Sequence, residues 1–117
     1  MPATTDPNLG LSYGWTTGES GWGSGMDANL KRLGALLGLS VKDRDLTTPP
    51  ASPANGDRYI IPAGASGAWA GKTNQIAVRV AGVWEYYSPS IGWLAFVEDE
   101  NVLAVYKSSG WSVGVSI

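Results

Sequence analysis

The sequence predicts a mainly β protein, in which a short N-terminal arm and one oligomerising α-helix precede a small antiparallel β-barrel or β-sandwich. Sixteen glycines and seven prolines among 117 residues, with only 15% charged residues, are typical of a compact β-protein with many turns. Short apolar runs separated by turn residues recur through the second half of the chain. A single stretch has the apolar spacing of a helix, which limits the helical content to one element.

Residues 1–23 form the predicted arm, which is rich in glycine, serine and threonine but carries aromatic and leucine side chains that a solvated tail lacks. Its apolar residues are Leu9, Leu11, Tyr13, Trp15 and Trp22, and the first four alternate as in a strand with one buried face. Two interpretations remain open: the arm lies on a neighbouring subunit or in a socket, or it folds back on its own domain.

Residues 24–40 contain the predicted helix, which runs from Ser24, the expected N-cap, to Leu39. Its apolar residues are spaced by four, three and four positions, as in the seam of a short coiled coil: Met26, Leu30, Leu33 and Leu37. The helix either crosses its own sheet or associates with copies of itself. We favour self-association, because the β-region is already rich in the aromatic residues that a core requires.

Residues 41–117 form the predicted antiparallel β-domain. A proline-rich connector at 45–53 is followed by strands expected at 58–61, 75–80, 83–87, 92–97 and 102–106, and by a last strand from 109 to 117. Tight turns between these strands predict a meander that closes into a small barrel or forms a sandwich.

The composition also argues against several functions. The chain has neither cysteine nor histidine, so the usual general bases, thiol nucleophiles and most transition-metal ligands are missing, and we expect no catalytic residue, metal or cofactor. A net charge of −2 without a basic patch argues against nucleic acid as a partner. Lys31 and Arg32 interrupt the apolar run of the helix, which argues against membrane insertion. No secretory signal is visible, so we expect synthesis in a cytoplasm.

The acidic residues have structural interpretations. A solvated turn is predicted at Glu98, Asp99 and Glu100. Three adjacent carboxylates do not supply the six to eight oxygens of a calcium site. Asp43 and Asp45 flank Arg44, and an ion pair that pins the connector is favoured over a paired-acid hydrolase site.

Aromatic residues raise the alternative of carbohydrate binding. Trp69 lies in a glycine- and alanine-rich loop, and one of the adjacent strand residues Tyr86 and Tyr87 should point outward. Exposed aromatic rings stack on sugars, so these three residues are the candidate glycan site. The competing interpretation of Trp69 is a plug that covers the end of the barrel.

The run from Asp43 to Gly71 resembles an uncharacterised domain of bacteriophage and gene-transfer-agent appendage proteins, including tail-fibre-like proteins and the base of a head spike. The resemblance rests on DRDLTTPPASP, GDRYII and GASGAWAG in this order, with further similarity at Gln75–Ala77, Trp84 and Gly92–Trp93.

This resemblance implies a non-enzymatic virion structural protein, assembled in a bacterial cytoplasm, that acts as a tail-fibre, baseplate or head-spike base or adaptor. It favours a homotrimer, because the bases of such appendages are commonly threefold. The arm would then dock on another virion protein (portal, capsid, baseplate or fibre), and a host surface glycan is a further possible partner. Appendage proteins of this kind often continue into long fibres, whereas this sequence ends at Ile117, which favours an adaptor or base.

Overall fold

A computed structural model describes residues 4–18 and 20–116. The chain divides into two compact units, which we call the N-terminal unit (Met1–Leu37) and the C-terminal unit (Gly38–Ile117). The predicted arm and the predicted helix therefore fall within the same unit.

The arm forms a small hairpin rather than the longer strand that the alternation of its apolar residues predicts. Strand β1 (Thr4–Thr5) pairs antiparallel with β2 (Ser12–Tyr13). The turn between them is held by the Asp6 carboxylate, which accepts a hydrogen bond of 2.7 Å from the Leu9 amide and a further bond from Gly10. These backbone donors, Leu9 first, lower the pKa of Asp6. The extended pairing stops after two residues because glycines with positive φ at 10 and 14 flank β2.

Helix α1 spans Trp22–Leu36 and so begins two residues before, and ends three residues before, the predicted helix. The prediction of Ser24 as N-cap is wrong: Gly21 occupies that position in the left-handed region (φ 89°), and the Ser24 hydroxyl donates to the Gly21 carbonyl at 3.1 Å. At the other end Leu37 is already extended, and Gly38 follows with a φ of +56°. Glycine adopts this conformation without steric cost and so ends the helix here.

The C-terminal unit contains eight strands and one turn of 3-10 helix at Gly67–Trp69 among its described residues. The strands are β3 (Ser40–Val41), β4 (Arg58–Ile60), β5 (Ile76–Val80), β6 (Val83–Tyr87), β7 (Leu94–Val97), β8 (Val102–Lys107), β9 (Gly110–Trp111) and β10 (Val115–Ser116). Four of them, β4, β5, β6 and β8, agree with a predicted strand within one residue at both ends, and β6 has the predicted bounds. The predicted last strand is divided into β9 and β10.

The strands form two sheets, in the orders β4-β5-β6 and β10-β8-β7-β3, with β9 paired to β8. They fit a β-sandwich-like fold, and the described strands do not close into a barrel. The expectation of a purely antiparallel domain is wrong, because β3 runs parallel to β7, with Val41 opposite Val97. This pairing follows from the chain path: β3 comes directly from the helical region and reaches β7 as an edge strand rather than through a hairpin.

The segment that contains β3 joins the two sheets. The Leu39 carbonyl accepts a hydrogen bond from Phe96 in β7, and the Val41 carbonyl accepts one from Glu98, the residue after β7. The Lys42 amide and the Asp43 carbonyl bond to the main chain of β4. Val41 is fully buried at this junction. The core of the unit is completed by Ile60, Ile61, Ile76, Ala77, Ala95, Val97 and Ala104, each at most 3% exposed.

Candidate functional site

The predicted seam of α1 is largely exposed, and Trp22 extends it toward the start of the helix. Trp22, Met26 and Leu30 expose 59%, 37% and 60% of their surface, Leu33 is half-buried, and Leu37, one residue past the helix, exposes 65%. At 3.6 residues per turn, the four helical positions share an arc of about 80°. We call these five residues the α1 stripe. Trp22, which we had placed in the arm, belongs to this helical surface.

A neighbouring face of α1 holds the arm. The side-chain amide of Asn29, which is only 8% exposed, donates to the Ser12 carbonyl and accepts from the Ser12 amide, both at 2.8 Å. The Arg32 guanidinium donates to the Leu9 carbonyl at 3.2 Å. The Trp15 ring lies so close to Gly25 that a Cβ there would overlap it. The arm therefore rests on its own helix, within the N-terminal unit.

The residues predicted to dock on a virion protein are thus not equally accessible. Leu9, Leu11 and Trp15 are half-buried, whereas Tyr13 is 56% exposed. Sequence reasoning missed Asn29 and Arg32, the two side chains that tie the arm to the helix. The available signal was their spacing, because polar residues three positions apart lie on the same face of a helix.

The candidate glycan residues lie around the three-stranded sheet, and two of them are buried. Trp69 has no exposed surface and packs against Tyr59 and Trp84, with ring centroids 5.5 and 5.3 Å away. It offers no ring face to a sugar. Its burial agrees with the plug interpretation, although the described strands form no barrel whose end it could cover. Tyr87 is 7% exposed and donates its hydroxyl to Glu85 at 3.2 Å.

Tyr86 retains part of its surface, next to two cations. Its hydroxyl donates to the Ala68 carbonyl at 3.0 Å, and Lys72 lies over its ring at 4.5 Å from the centroid. Arg79 lies over the Trp84 ring at 5.3 Å. Burial raises the pKa of Tyr86, and the charge of nearby Arg79 opposes this shift. Among the described residues neither Lys72 nor Arg79 has a carboxylate partner.

Arg44 forms the predicted pin, but with different partners. Its guanidinium binds Glu100 through two hydrogen bonds of 3.0 and 2.7 Å and donates to the carbonyls of Ser112 and Val113, each at 2.7 Å. Hydrogen bonding between the Arg44 guanidinium and the Glu100 carboxylate raises the pKa of Arg44 and lowers the pKa of Glu100. Arg44 thereby ties the connector to the C-terminal segment rather than to its neighbours Asp43 and Asp45.

Three carboxylates meet next to this pin. Oxygen atoms of Asp43, Asp45 and Asp99 lie within 4.8 Å of one another. Loss of hydration raises the pKa of Asp99, and the charges of Asp43 and Glu100 raise it further. The sequence did not predict this cluster, because Asp99 lies more than fifty positions from the other two and only the fold brings them together. Three carboxylates fall short of the oxygen count that calcium prefers.

No helix among the described residues has the length and apolar character needed to cross a bilayer.

Comparison with known proteins identifies the family. The sequence model of a family described as proteins of unknown function, DUF2793, matches residues 26–112. The chain belongs to the DUF2793 family. The match begins within α1 and includes every strand of the two sheets except β10, and it therefore covers the α1 stripe from Met26 onward as well as the motifs between Asp43 and Gly71. No curated protein matches the chain. The description of this family assigns no function to its members.

Proposed function

We propose that this DUF2793 protein is a non-enzymatic structural component of a phage-like particle, a homo-oligomer that acts as the base or adaptor of an appendage. The α1 stripe carries the proposal. A helix whose one face already binds its own arm still exposes a row of large apolar side chains, and such a row marks an interaction surface.

The proposed mechanism is assembly by burial of this stripe between copies of the chain. Fully burying one leucine side chain contributes roughly 1.5–3 kcal/mol, so a few such residues decide whether a complex forms. The spacing of four, three and four allows helices to pack along a common seam. A trimer is favoured by the resemblance to fibre-type appendages, since leucine at the seam does not itself select between two and three strands.

Docking on the virion is proposed for the exposed part of the arm. Tyr13 is its largest accessible side chain, and the hairpin that carries it is held in place by Asp6 and Asn29. The partners would be portal, capsid, baseplate or fibre proteins, and the protein would reside in the particle. Mass spectrometry of purified particles from a bacterium that encodes this chain tests the location: its absence from particles would contradict the proposal.

The solution mass tests the assembly. Light scattering on a size-exclusion column should give about three times 12.3 kDa for the unmodified chain. Leu30→Asp should reduce this mass to that of a single chain, because the new carboxylate would lose its hydration in the seam. Ala28→Asp adds the same charge to an exposed position on another face of α1 and should leave the mass unchanged. Equal masses for the two variants would remove the α1 stripe from the interface.

Carbohydrate binding is the second candidate, and the surroundings of Tyr86 favour it. A partly exposed aromatic ring beside Lys72 and Arg79 suits a sugar that carries a carboxylate, since both cations lack a carboxylate partner within the described part of the chain. Titration with a uronic-acid oligosaccharide, followed by tryptophan fluorescence, should show saturable binding that Arg79→Ala weakens. A neutral oligosaccharide of equal length is the control, and equal responses to both would contradict this candidate.

A further inference from the structure

The outer face of the five-stranded sheet is apolar, which the sequence analysis did not anticipate. The strand register places Leu94 opposite Val105, and Leu103 opposite both Phe96 and Val115. Directly paired residues point to the same side of a sheet, so these five side chains share one side. We call them the outer face.

The other side of the same strands is the core. Ala95, Val97 and Ala104 alternate with the outer-face residues and are at most 1% exposed. An antiparallel sheet with one buried side normally presents polar residues on the other. Here the second side is apolar as well, although Leu94 exposes 56% and Val115 exposes 63% of their surface.

Polar residues surround this apolar face. Glu98 lies immediately after β7, two positions beyond Phe96. Its carboxylate accepts a hydrogen bond of 2.7 Å from the Ser40 hydroxyl. Lys107 follows Val105 by two positions and is exposed. An apolar centre with a polar rim is the composition of a protein–protein contact.

We propose that the outer face is a second contact between copies of this chain. This inference rests on the proposed homo-oligomer and adds a surface to it. The α1 stripe offers about 500 Å² of accessible surface at the exposures given above, of which Trp22 supplies roughly 150 Å². A stable interface takes about 800 Å² from each partner, so the stripe by itself would support only a weak oligomer.

The outer face supplies the missing area. Its five side chains offer about 300 Å², since two of them are more than half exposed and the other three are half-buried. The two surfaces belong to different units and count as separate contacts, and the total area that each copy would bury through them reaches the roughly 800 Å² of a stable oligomer. None of the five residues carries a charge or a hydrogen-bonding side chain, so the occupant must itself be apolar, and a second copy of the chain brings such surfaces in equal number.

The experiment measures the dissociation constant of the oligomer by analytical ultracentrifugation over a series of concentrations. Leu94→Glu should raise this constant by tenfold or more, because a carboxylate would be buried without a partner. Val115→Glu, on the edge strand β10, should act in the same direction, and circular dichroism checks that both variants fold. Ile91→Glu is the matched control, since Ile91 is 71% exposed but lies outside the outer face.

The outcomes separate this inference from the proposed function. If Leu94→Glu and Val115→Glu associate as tightly as the Ile91→Glu control while Leu30→Asp dissociates, the outer face is overturned and assembly through α1 stands. If only the outer-face variants dissociate, the outer face stands and assembly through α1 falls. An unmodified chain that remains monomeric at about 100 μM, well above the Kd of a stable oligomer, overturns both.

Discussion

Replacing Arg44 with alanine should strongly destabilise the C-terminal unit. Four hydrogen bonds end on this one guanidinium, two to the Glu100 carboxylate and one each to the carbonyls of Ser112 and Val113. The alanine variant would leave these acceptors without their donor. It would also release the segment before β10 from the connector that follows β3, so we expect the loss to spread beyond the pair itself.

The magnitude follows from the number of bonds and from their exposure. A hydrogen bond to a charged group contributes about 1.5–3 kcal/mol. The side chains of Arg44 and Glu100 are 15% and 29% exposed, so water compensates part of the loss and the four bonds do not add. We therefore expect Arg44→Ala to cost about 3 kcal/mol in the free energy of unfolding, a large share of the 5–15 kcal/mol typical of a domain. The corresponding decrease in Tm is about 12–18 °C.

Urea denaturation followed by tryptophan fluorescence measures this cost. Arg44→Lys is the control: it keeps the positive charge but cannot bind a carboxylate through two parallel bonds while reaching two carbonyls, so it should recover less than half of the loss. A double-mutant cycle with Glu100→Gln should give a coupling of about 1–2 kcal/mol. If Arg44→Ala costs under about 0.5 kcal/mol, as an ordinary surface substitution does, the assignment of a pin is refuted.

The same pair predicts a pH dependence. The pKa of Glu100 in the folded protein lies below its ordinary value of 4.5, so the folded state binds this proton less tightly than the unfolded chain does. The stabilisation from the pair is therefore fully present above pH 4.5 and is lost as the pH falls through the folded pKa. The difference in unfolding free energy between the unmodified chain and Glu100→Gln should shrink over that acidic range, and a constant difference would contradict the linkage.

Three further substitutions, one of them with a matched control, test the remaining contacts. Asn29→Asp removes the hydrogen-bond donor to the Ser12 carbonyl and should lower the free energy of unfolding by about 1–3 kcal/mol. Amide hydrogen exchange in the hairpin should become faster, and unchanged exchange would contradict the role of Asn29 in holding the arm. Gly25→Ala should displace the Trp15 ring and lower Tm, whereas Gly34→Ala, which meets open space on the same helix, should stabilise it by about 1 kcal/mol. Asp99→Asn should raise the free energy of unfolding at pH 7, because the pKa of Asp99 is raised and its ionisation is therefore disfavoured in the folded state. The gain should vanish below pH 3.8, where Asp99 is protonated in both the folded and the unfolded state.

The location of the helix and most strands could be predicted because these elements are encoded by short-range patterns. The spacing of Met26, Leu30 and Leu33 identifies α1, and the turn at Ala81–Gly82 fixes the start of β6. Helix ends were less predictable. Gly21 caps the start of α1 with a left-handed backbone conformation and has no side chain that could signal this role. The sequence therefore predicted Ser24 as the N-cap instead.

The candidate surfaces were predicted only in part. The α1 stripe follows from local spacing, whereas its exposure depends on what packs against the helix. Trp69 illustrates the opposite case: its loop of small residues left both an exposed ring and a buried plug open, and only the fold shows that the ring is completely buried. Local sequence describes which residues a loop contains, and it does not describe which surface the loop covers.

The sequence by itself therefore determined the class of the protein, a β-domain with one helix and with neither histidine nor cysteine, since composition and periodicity act within a few residues. Tertiary structure alone decided the parallel pairing of β3 with β7, the four-bond clamp of Arg44 and the apolar outer face around Leu103. Each of these joins residues far apart in the chain, and their proximity depends on strand order and register. A shift of one residue in register would turn every outer-face side chain into the core, so no local pattern could have specified that surface.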